Sequence, residues 1–258
     1  MEISFFKYQG AGNDFVMIDN RNGNIQLSTE QIARLCDRRF GIGADGLILL
    51  ENAIGYDYRM VYFNADGNES TMCGNGGRCL AAFAYHLGVA GINQSFIAID
   101  GPHLAKIVQQ NEVALQMKDI ESIELYNEDV ILDTGSPHYI RFVKEVDAVN
   151  VYLEGKAIRN LERFQPKGIN VNFVQKTLEG LKIRTYERGV EDETLACGTG
   201  VTAAAIANAS SDTGKQSVKV QALGGDLLVD FEKIDNQHFQ NVWLTGPALL
   251  VFKGEITI

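Results

Sequence analysis

"CGNGGRCLAAFAYHLG", residues 73–88, sets Cys73 ahead of Gly74, Gly76 and Gly77 and then runs into an amphipathic pattern. Leu80, Phe83, Ala84 and Leu87 recur at helical spacing, and Gly88 is a stop signal. A thiol therefore stands at a helix start. "CGTGVTAAAIANAS", residues 197–210, does the same downstream: Cys197 precedes Gly198 and Gly200, and Thr202, Ala205, Ile206 and Ala209 share the helical spacing. This second helix is small-residued along its length, which predicts burial inside a sheet.

Working outward, the two turns lie in matching surroundings. The strand-like run "YRMVYFNADG" leads to the first, and "LKIRTYERGVEDE" leads to the second. Cys73 and Cys197 stand 124 positions apart; Gly12 of "GNDFVMI" and Gly135 of "GSPHYIRFV" stand 123 apart. Near-equal offsets over that length indicate a duplicated domain rather than a solenoid. Short strand-like runs separated by Gly, Asn and Asp dominate the rest, with a further helix expected from the Ser28/Thr29 cap signal over "STEQIARLCDRRF". Duplicated halves commonly pack face to face, so the expectation is a shared cleft holding both cysteines.

Composition narrows the function. The chain has 258 residues, 45% of them apolar, and a net charge of −10. No basic stripe marks a nucleic-acid binder. No apolar run approaches the roughly 20 residues that span a bilayer. The opening "MEISFFKYQG" lacks signal-peptide character, so a cytoplasmic setting with no membrane partner is expected. Four cysteines in such a compartment do not suggest a disulfide framework.

A helix N-terminus presents unpaired amides and a partial positive charge, and glycines let an anion come close. Each turn is thus a candidate cradle for a carboxylate or phosphate. The same field favours a thiolate over a thiol. A single nucleophilic cysteine wants a His partner. Two thiols in equivalent turns suit a task with two equivalent faces: removing a proton from one face of a carbon and returning it to the other. The cradle would hold an amino acid's carboxylate and stabilise charge that builds there as the α-proton leaves. That chemistry needs no cofactor and no metal.

Other readings fit less well. Cys36 and Cys79 read as core residues. Structural zinc expects C-x2-C pairs, and none occurs. A C-x5-R phosphatase loop fails by one position, since Arg78 falls short. "GIGADG", residues 41–46, has the spacing of a dinucleotide fingerprint but the wrong order, helix before and strand after. Among four histidines, His138 alone follows a glycine turn, in "GSPH".

Seven or more motifs in order resemble the diaminopimelate epimerase family: "GAGNDFVMID", "GIGADG", "FNADGNE", "MCGNGGRC", "GSPHY", "GINVNF", "YERGVEDETLACGTG" and "LTGPA". Proline racemase-like chains would read "CGHG" in place of "CGNG" and lack the "ER", and phenazine-biosynthesis-like isomerases lack the cysteine pair. The resemblance implies an α+β fold of two pseudo-symmetric domains, each a mixed sheet or barrel wrapped around a central helix. The halves are placed at 1–120, joined by a returning strand 247–258, and at 121–246. It implies interconversion of LL- and meso-diaminopimelate for lysine and cell-wall precursor synthesis, without cofactor, and a homodimer. By similarity Cys73 and Cys197 are the acid/base thiols, and amides of Gly74, Asn75, Gly198 and Thr199 bind the α-carboxylate. Asn64 and Glu187 would hold the α-ammonium. Arg188, Asn13 and Asn170 would fix the distal end with Ser136 contributing, and His138 would help set thiol protonation.

Three departures bear on the distal contacts: Gly46 where many relatives have glutamine, Ser136 where many have asparagine, and a "GVEDET" loop, Gly189 to Thr194, that reads one residue longer. The alternatives are a racemase acting on another amino acid, such as hydroxyproline, and a non-catalytic amino-acid binding module. Exchange on proline analogues separates the first, and binding without exchange at the α-carbon marks the second.

Overall fold

Strand β3 (Gly46–Glu51), "GLILLE", is buried along five consecutive residues rather than on alternate ones. A continuous apolar strand needs cover on both faces, and helices α1 (Thr29–Cys36) and α2 (Gly74–His86) both pack on it. That sandwiching organises the first of two compact units in the computed structural model, which describes residues 1–258. The first unit comprises Met1–Leu115 and Gly246–Ile258, and the second Gln116–Thr245.

Before β3 come β1 (Glu2–Gly10) and β2 (Asn13–Asp19); after it come β4 (Tyr58–Asn64), β5 (Asn93–Ala98), β6 (Gly101–Gln109) and β7 (Glu112–Gln116). The second unit holds β8 (Ile123–Tyr126), β9 (Asp129–Asp133), β10 (Pro137–Phe142), β11 (Asn170–Lys176), β12 (Leu181–Glu187), β13 (Asp192–Thr194), β14 (Gly214–Ala222), β15 (Gly225–Lys233) and β16 (Phe239–Pro247). Its helices are α3 (Val151–Arg159) and α4 (Gly198–Ala207). The closing strand β17 (Leu249–Thr257) pairs antiparallel with β1 in the first unit.

Register shows the duplication directly. The first unit runs β17-β1-β2-β3-β4-β5-β6-β7, with parallel pairs only at β2–β3 and β4–β5. The second runs β8-β9-β10-β11-β12-β14-β15-β16, with parallel pairs only at β10–β11 and β12–β14. Each parallel pair requires a crossover, and the crossovers correspond: α1 with α3, α2 with α4. Helix α2 packs on β17, β1, β2, β3, β4 and β6; α4 packs on β9, β10, β11, β12, β14 and β15. A helix touching strands across nearly the whole order of its sheet is one the sheet wraps. The fold is therefore α+β, a mixed sheet around a central helix, twice over.

The central helices bear out the expectation of burial. Every residue of α4 from Gly200 to Ile206 is buried, and in α2 Asn75 to Ala81 are buried without a break. A helix apolar all round belongs in a core. Two details differ from the sequence reading. Helix α1 ends at Cys36, where Asp37 turns extended and its carboxylate takes the amides of Arg39 and Phe40, so "DRRF" is a turn. Helix α3 was not expected, because "VYLEGKAIR" carries a mid-helix glycine. Its buried face is Val151, Gly155 and Ile158, and a Cβ at Gly155 would meet Tyr186 Cβ at 2.4 Å. The glycine that obscures the helix is what lets it dock.

Candidate active site

In the first unit Cys73 is the N-cap of α2, extended at φ −91° and ψ 128°. Its carbonyl accepts the Gly77 amide at 2.8 Å. The amides ahead of Gly77 have no carbonyl within the helix to reach, and no acidic residue occupies the first turn. The chain comes in from β4, whose last residue, Asn64, is exposed and closes a tight turn by accepting the Gly67 amide at 2.9 Å. Asn75 is buried in the first turn, and its Nδ2 donates to Asn13 Oδ1 at 2.6 Å. Asn13 Nδ2 donates in turn to Asp45 Oδ2 at 3.0 Å. Arg78 Nη2 donates to Asn75 Oδ1 at 2.7 Å. So Cys73, Gly74, Asn75 and Asn13 come together. At Gly76 an added Cβ would meet Ile48 Cδ1 at 3.0 Å, so the glycine seats the turn against the sheet.

In the second unit Cys197 is the N-cap of α4, at φ −107° and ψ 107°, and again no acidic side chain lies in the first turn. Its carbonyl accepts the Val201 amide at 2.9 Å. The sulfur lies 3.4 Å from Thr199 Oγ1 and shares a hydrogen bond with Glu187. Glu187 ends β12, and its Oε2 accepts from Thr194 Oγ1 at 2.8 Å. Burial raises its carboxyl above the ordinary range, against the opposing pull of the Thr194 and Cys197 hydrogen bonds. Arg188 donates its amide to Asn170 Oδ1 at 2.9 Å and Nη2 to Ser136 Oγ at 3.2 Å. Asn170 Nδ2 donates to Ser136 Oγ at 2.9 Å and to the Pro137 carbonyl at 3.0 Å. Ser136, Asn170 and Arg188 therefore form one cluster beside the Glu187–Cys197 pair.

His138 is fully buried at the start of β10. Asn172 Nδ2 lies 3.1 Å from His138 Nδ1 and 3.1 Å from the Tyr139 carbonyl, while Asn172 Oδ1 accepts from Thr185 Oγ1 at 2.9 Å. An amide held that way donates to Nδ1, so the imidazole proton sits on Nε2, which has no hydrogen-bond partner. Desolvation drives the His138 pKa down to about 3, with Asp133 opposing and Arg188 adding to the effect. The ring is neutral across the physiological range. No group of three or more His, Cys, Asp or Glu is arranged to hold a metal ion.

The sequence reading missed four supports: Arg78, Asp45, Asn172 and Thr134, whose hydroxyl donates to the Thr199 carbonyl at 2.9 Å. Arg78 gave no usable signal, because it falls opposite the Leu80, Phe83, Ala84 and Leu87 stripe and reads as a solvent-facing charge. Asn172 looks like an ordinary strand residue until register pairs it with Ile140, within reach of the Tyr139 carbonyl.

Comparison with known proteins agrees with the architecture. The family model described as diaminopimelate epimerase matches residues 5–121 and 130–251. The diaminopimelate epimerase of Flavobacterium psychrophilum is 50% identical, over 98% of this chain and 100% of that protein. The diaminopimelate epimerase of Chlorobaculum tepidum is 45% identical, over 96% and 99%. Among solved structures, a phenazine biosynthesis protein of the PhzF family from Bacillus anthracis superposes with TM-score 0.75 at 18% identity, covering 100% of both chains. A hydroxyproline epimerase from Agrobacterium vitis gives 0.68 at 11% identity, covering 99% of this chain and 92% of that one. At those identities the likeness is one of fold.

Proposed function

The chain belongs to the diaminopimelate epimerase family, and on that premise we propose that it interconverts LL- and meso-diaminopimelate by passing the α-proton between Cys73 and Cys197. It is an isomerase of the epimerase class; the two-thiol route, without cofactor, is the reading the site supports best. One thiolate takes the α-proton, forming S–H as the C–H bond breaks, and the electron pair moves into the α-carboxylate. The other thiol gives its proton to the opposite face and is left as thiolate. The observation that carries this is the equivalence of the two N-caps: each sulfur heads a buried helix whose first turn offers amides and no competing acid.

The remaining groups fit a substrate with an ammonium and a carboxylate at each end. Amides of Gly74, Asn75, Gly198 and Thr199 receive the α-carboxylate and the charge that builds on it. Glu187 and Asn64 receive the α-ammonium. Arg188, held by Ser136 and Asn170, meets the distal carboxylate, with Asn13 contributing. His138, neutral and buried behind these groups, supplies a fixed dipole rather than a mobile proton. The departures at Gly46 and Ser136 bear on the distal end, and the Gly189 to Thr194 loop meets Glu187 through Thr194; none replaces a thiol. A homodimer in the cytoplasm belongs to the same reading.

Incubation of LL-diaminopimelate with the enzyme in D2O tests it. One deuterium should enter an α-position as meso product accumulates, and prior dialysis against a chelator or treatment with a carbonyl reagent should leave the rate unchanged. Absence of exchange refutes the reaction; inhibition by either reagent refutes the cofactor-free route.

A further inference from the structure

We propose that Arg78 is the positioning residue of the Cys73 turn: it fixes the donor–acceptor sense of the Asn75 and Asn13 amides and holds a permanent positive charge beside the sulfur. The inference rests on Cys73 acting as an acid/base thiol, as proposed above.

Arg78 is fully buried, the largest side chain so enclosed. Such a guanidinium has five N–H donors and normally takes a carboxylate. Here Nη2 reaches Asn75 Oδ1 at 2.7 Å, Nε reaches the Pro247 carbonyl only at 3.5 Å, and Nη1 has no partner. No carboxylate acts on it; the charges that do are those of Cys79 and Cys73. Burying a charge without a carboxylate partner is costly. Two consequences follow for the turn.

The first is orientation. An amide can face either way, but a cation accepts only its oxygen. Arg78 therefore fixes Asn75 with Oδ1 inward, so Nδ2 must face Asn13. Asn13 then presents Oδ1 to Asn75 and Nδ2 to Asp45. A cation at one end and a carboxylate at the other polarise the chain in one direction, and Arg38 holds Asp45 at the far end at 2.7 Å.

The second is charge. The titratable groups facing the guanidinium are Cys79 and Cys73 of its own helix, with Tyr8 of β1 beside Cys79. Burial pushes Cys79 up to about 12 despite Arg78, and burial pushes Tyr8 up to about 12. Both stay neutral at working pH. The anion that complements Arg78 is then the half-buried Cys73 sulfur, the same group whose thiolate form the reaction needs. The second unit has no counterpart: Thr202 occupies the equivalent helix position and turns its hydroxyl back to the Gly198 carbonyl at 2.9 Å.

The test is the pH profile of iodoacetamide alkylation on the full chain, read peptide by peptide so that Cys73 and Cys197 report separately. In Arg78→Met the Cys73 midpoint should rise by about one pH unit, roughly a tenfold slower reaction at pH 7, with Cys197 unmoved. Superimposable Cys73 profiles in parent and variant, or equal shifts at both cysteines, would overturn the charge role. Arg78→Lys keeps the charge but loses the planar fork, and it serves if the methionine variant does not fold. Its Cys73 midpoint should match the parent while KM for diaminopimelate rises at least threefold; a raised midpoint overturns the charge role, and an unchanged KM overturns the amide role. Alkylation needs no turnover. Normal deuterium exchange with an unmoved Cys73 therefore sinks Arg78's role alone, and absent exchange sinks the epimerase reading.

Discussion

Replacing Gly200 with alanine tests how the α4 turn is held in place. An ideal Cβ there would stand 2.4 Å from Asn172 Oδ1, closer than real side-chain contacts permit. Asn172 has nowhere to go. It is fully buried and committed to His138 Nδ1, the Tyr139 carbonyl and Thr185 Oγ1. Rotating it away loses three hydrogen bonds of about 1 kcal/mol each. Alanine returns about 1 kcal/mol through better helix propensity. The net loss is about 2 kcal/mol, a fall in Tm of roughly 4–8 °C. Calorimetry or urea unfolding reads it directly. Gly74→Ala is the control, because its Cβ would meet only Leu115 Cδ2 at 3.9 Å, an ordinary contact; its stability should stay within about 0.5 kcal/mol of the parent. A Gly200→Ala protein as stable as the parent would show that Asn172 is not a rigid strut, and the tautomer assigned to His138 would lose its support.

Cys73→Ala and Cys197→Ala should each reduce epimerisation at least a thousandfold with unfolding curves like the parent's; retained turnover in either removes that thiol from the mechanism. Asp14 is held down to about 2: Arg38 and Lys7 overcome the burial that would raise it. A depressed acid stabilises the fold above its unfolded value and loses that stability as pH falls. Asp14→Asn should therefore cost about 2 kcal/mol at pH 7 and almost nothing near pH 2, read by urea titrations at both values. His138 is also depressed, so its contribution is full above about pH 6.5 and is lost progressively toward pH 3. His138→Gln should flatten the acid limb of a stability–pH curve, and an unchanged limb would show that the ring is not neutral in the fold. Burial raises Glu187, the opposite sign: the protonated form is favoured and stability falls as pH climbs through its folded value. Glu187→Gln should remove that decline while abolishing activity, checked by paired melting and rate profiles.

The duplicated frame was legible because part of it is written in glycines that the backbone requires. Glycine before a strand at Gly12 and Gly135 takes φ 93° and 105°, conformations an L side chain resists. The cysteine turns were legible as helix starts because glycines followed by helically spaced apolar residues mark an N-terminus, and both cysteines are N-caps. Ser136, Asn170 and Arg188 were placed by resemblance, and the register of β10 on β11 explains why they meet: His138 pairs with Asn170, which brings the residues flanking both into reach. What stayed hidden depends on contacts distant in sequence. Nothing local distinguishes Gly155 as a docking point for Tyr186, or Asn172 as the amide that fixes an imidazole. Arg78 is quoted in the very turn that decides the fold, yet its significance lies in an absent carboxylate, a fact only three dimensions supply.

The topology repeats and the chemistry does not. Register makes Phe15 and His138 equivalent, since Phe15 pairs with Gly46 as His138 pairs with Asn170. Asn64 and Glu187 both close the strand that leads into a cysteine turn. Counting from the N-caps, Arg78 corresponds to Thr202. One unit thus sets a fully buried cation and neutral amides in its cysteine turn; the other puts a carboxyl group in hydrogen-bond contact with its sulfur and keeps its cation, Arg188, tied to Ser136 and Asn170. A two-base exchange needs one thiolate and one thiol at the outset. Two chemically identical turns would leave that choice to chance, half the molecules holding the wrong pairing for a given stereoisomer. On the two-thiol reading proposed above, unlike surroundings distinguish the pair: Arg78 lies in the Cys73 turn, and the Glu187 carboxyl bonds Cys197. Under the proposed two-thiol route, unlike side chains on a shared backbone frame are what would equip a symmetric scaffold for a reaction whose resting state is asymmetric.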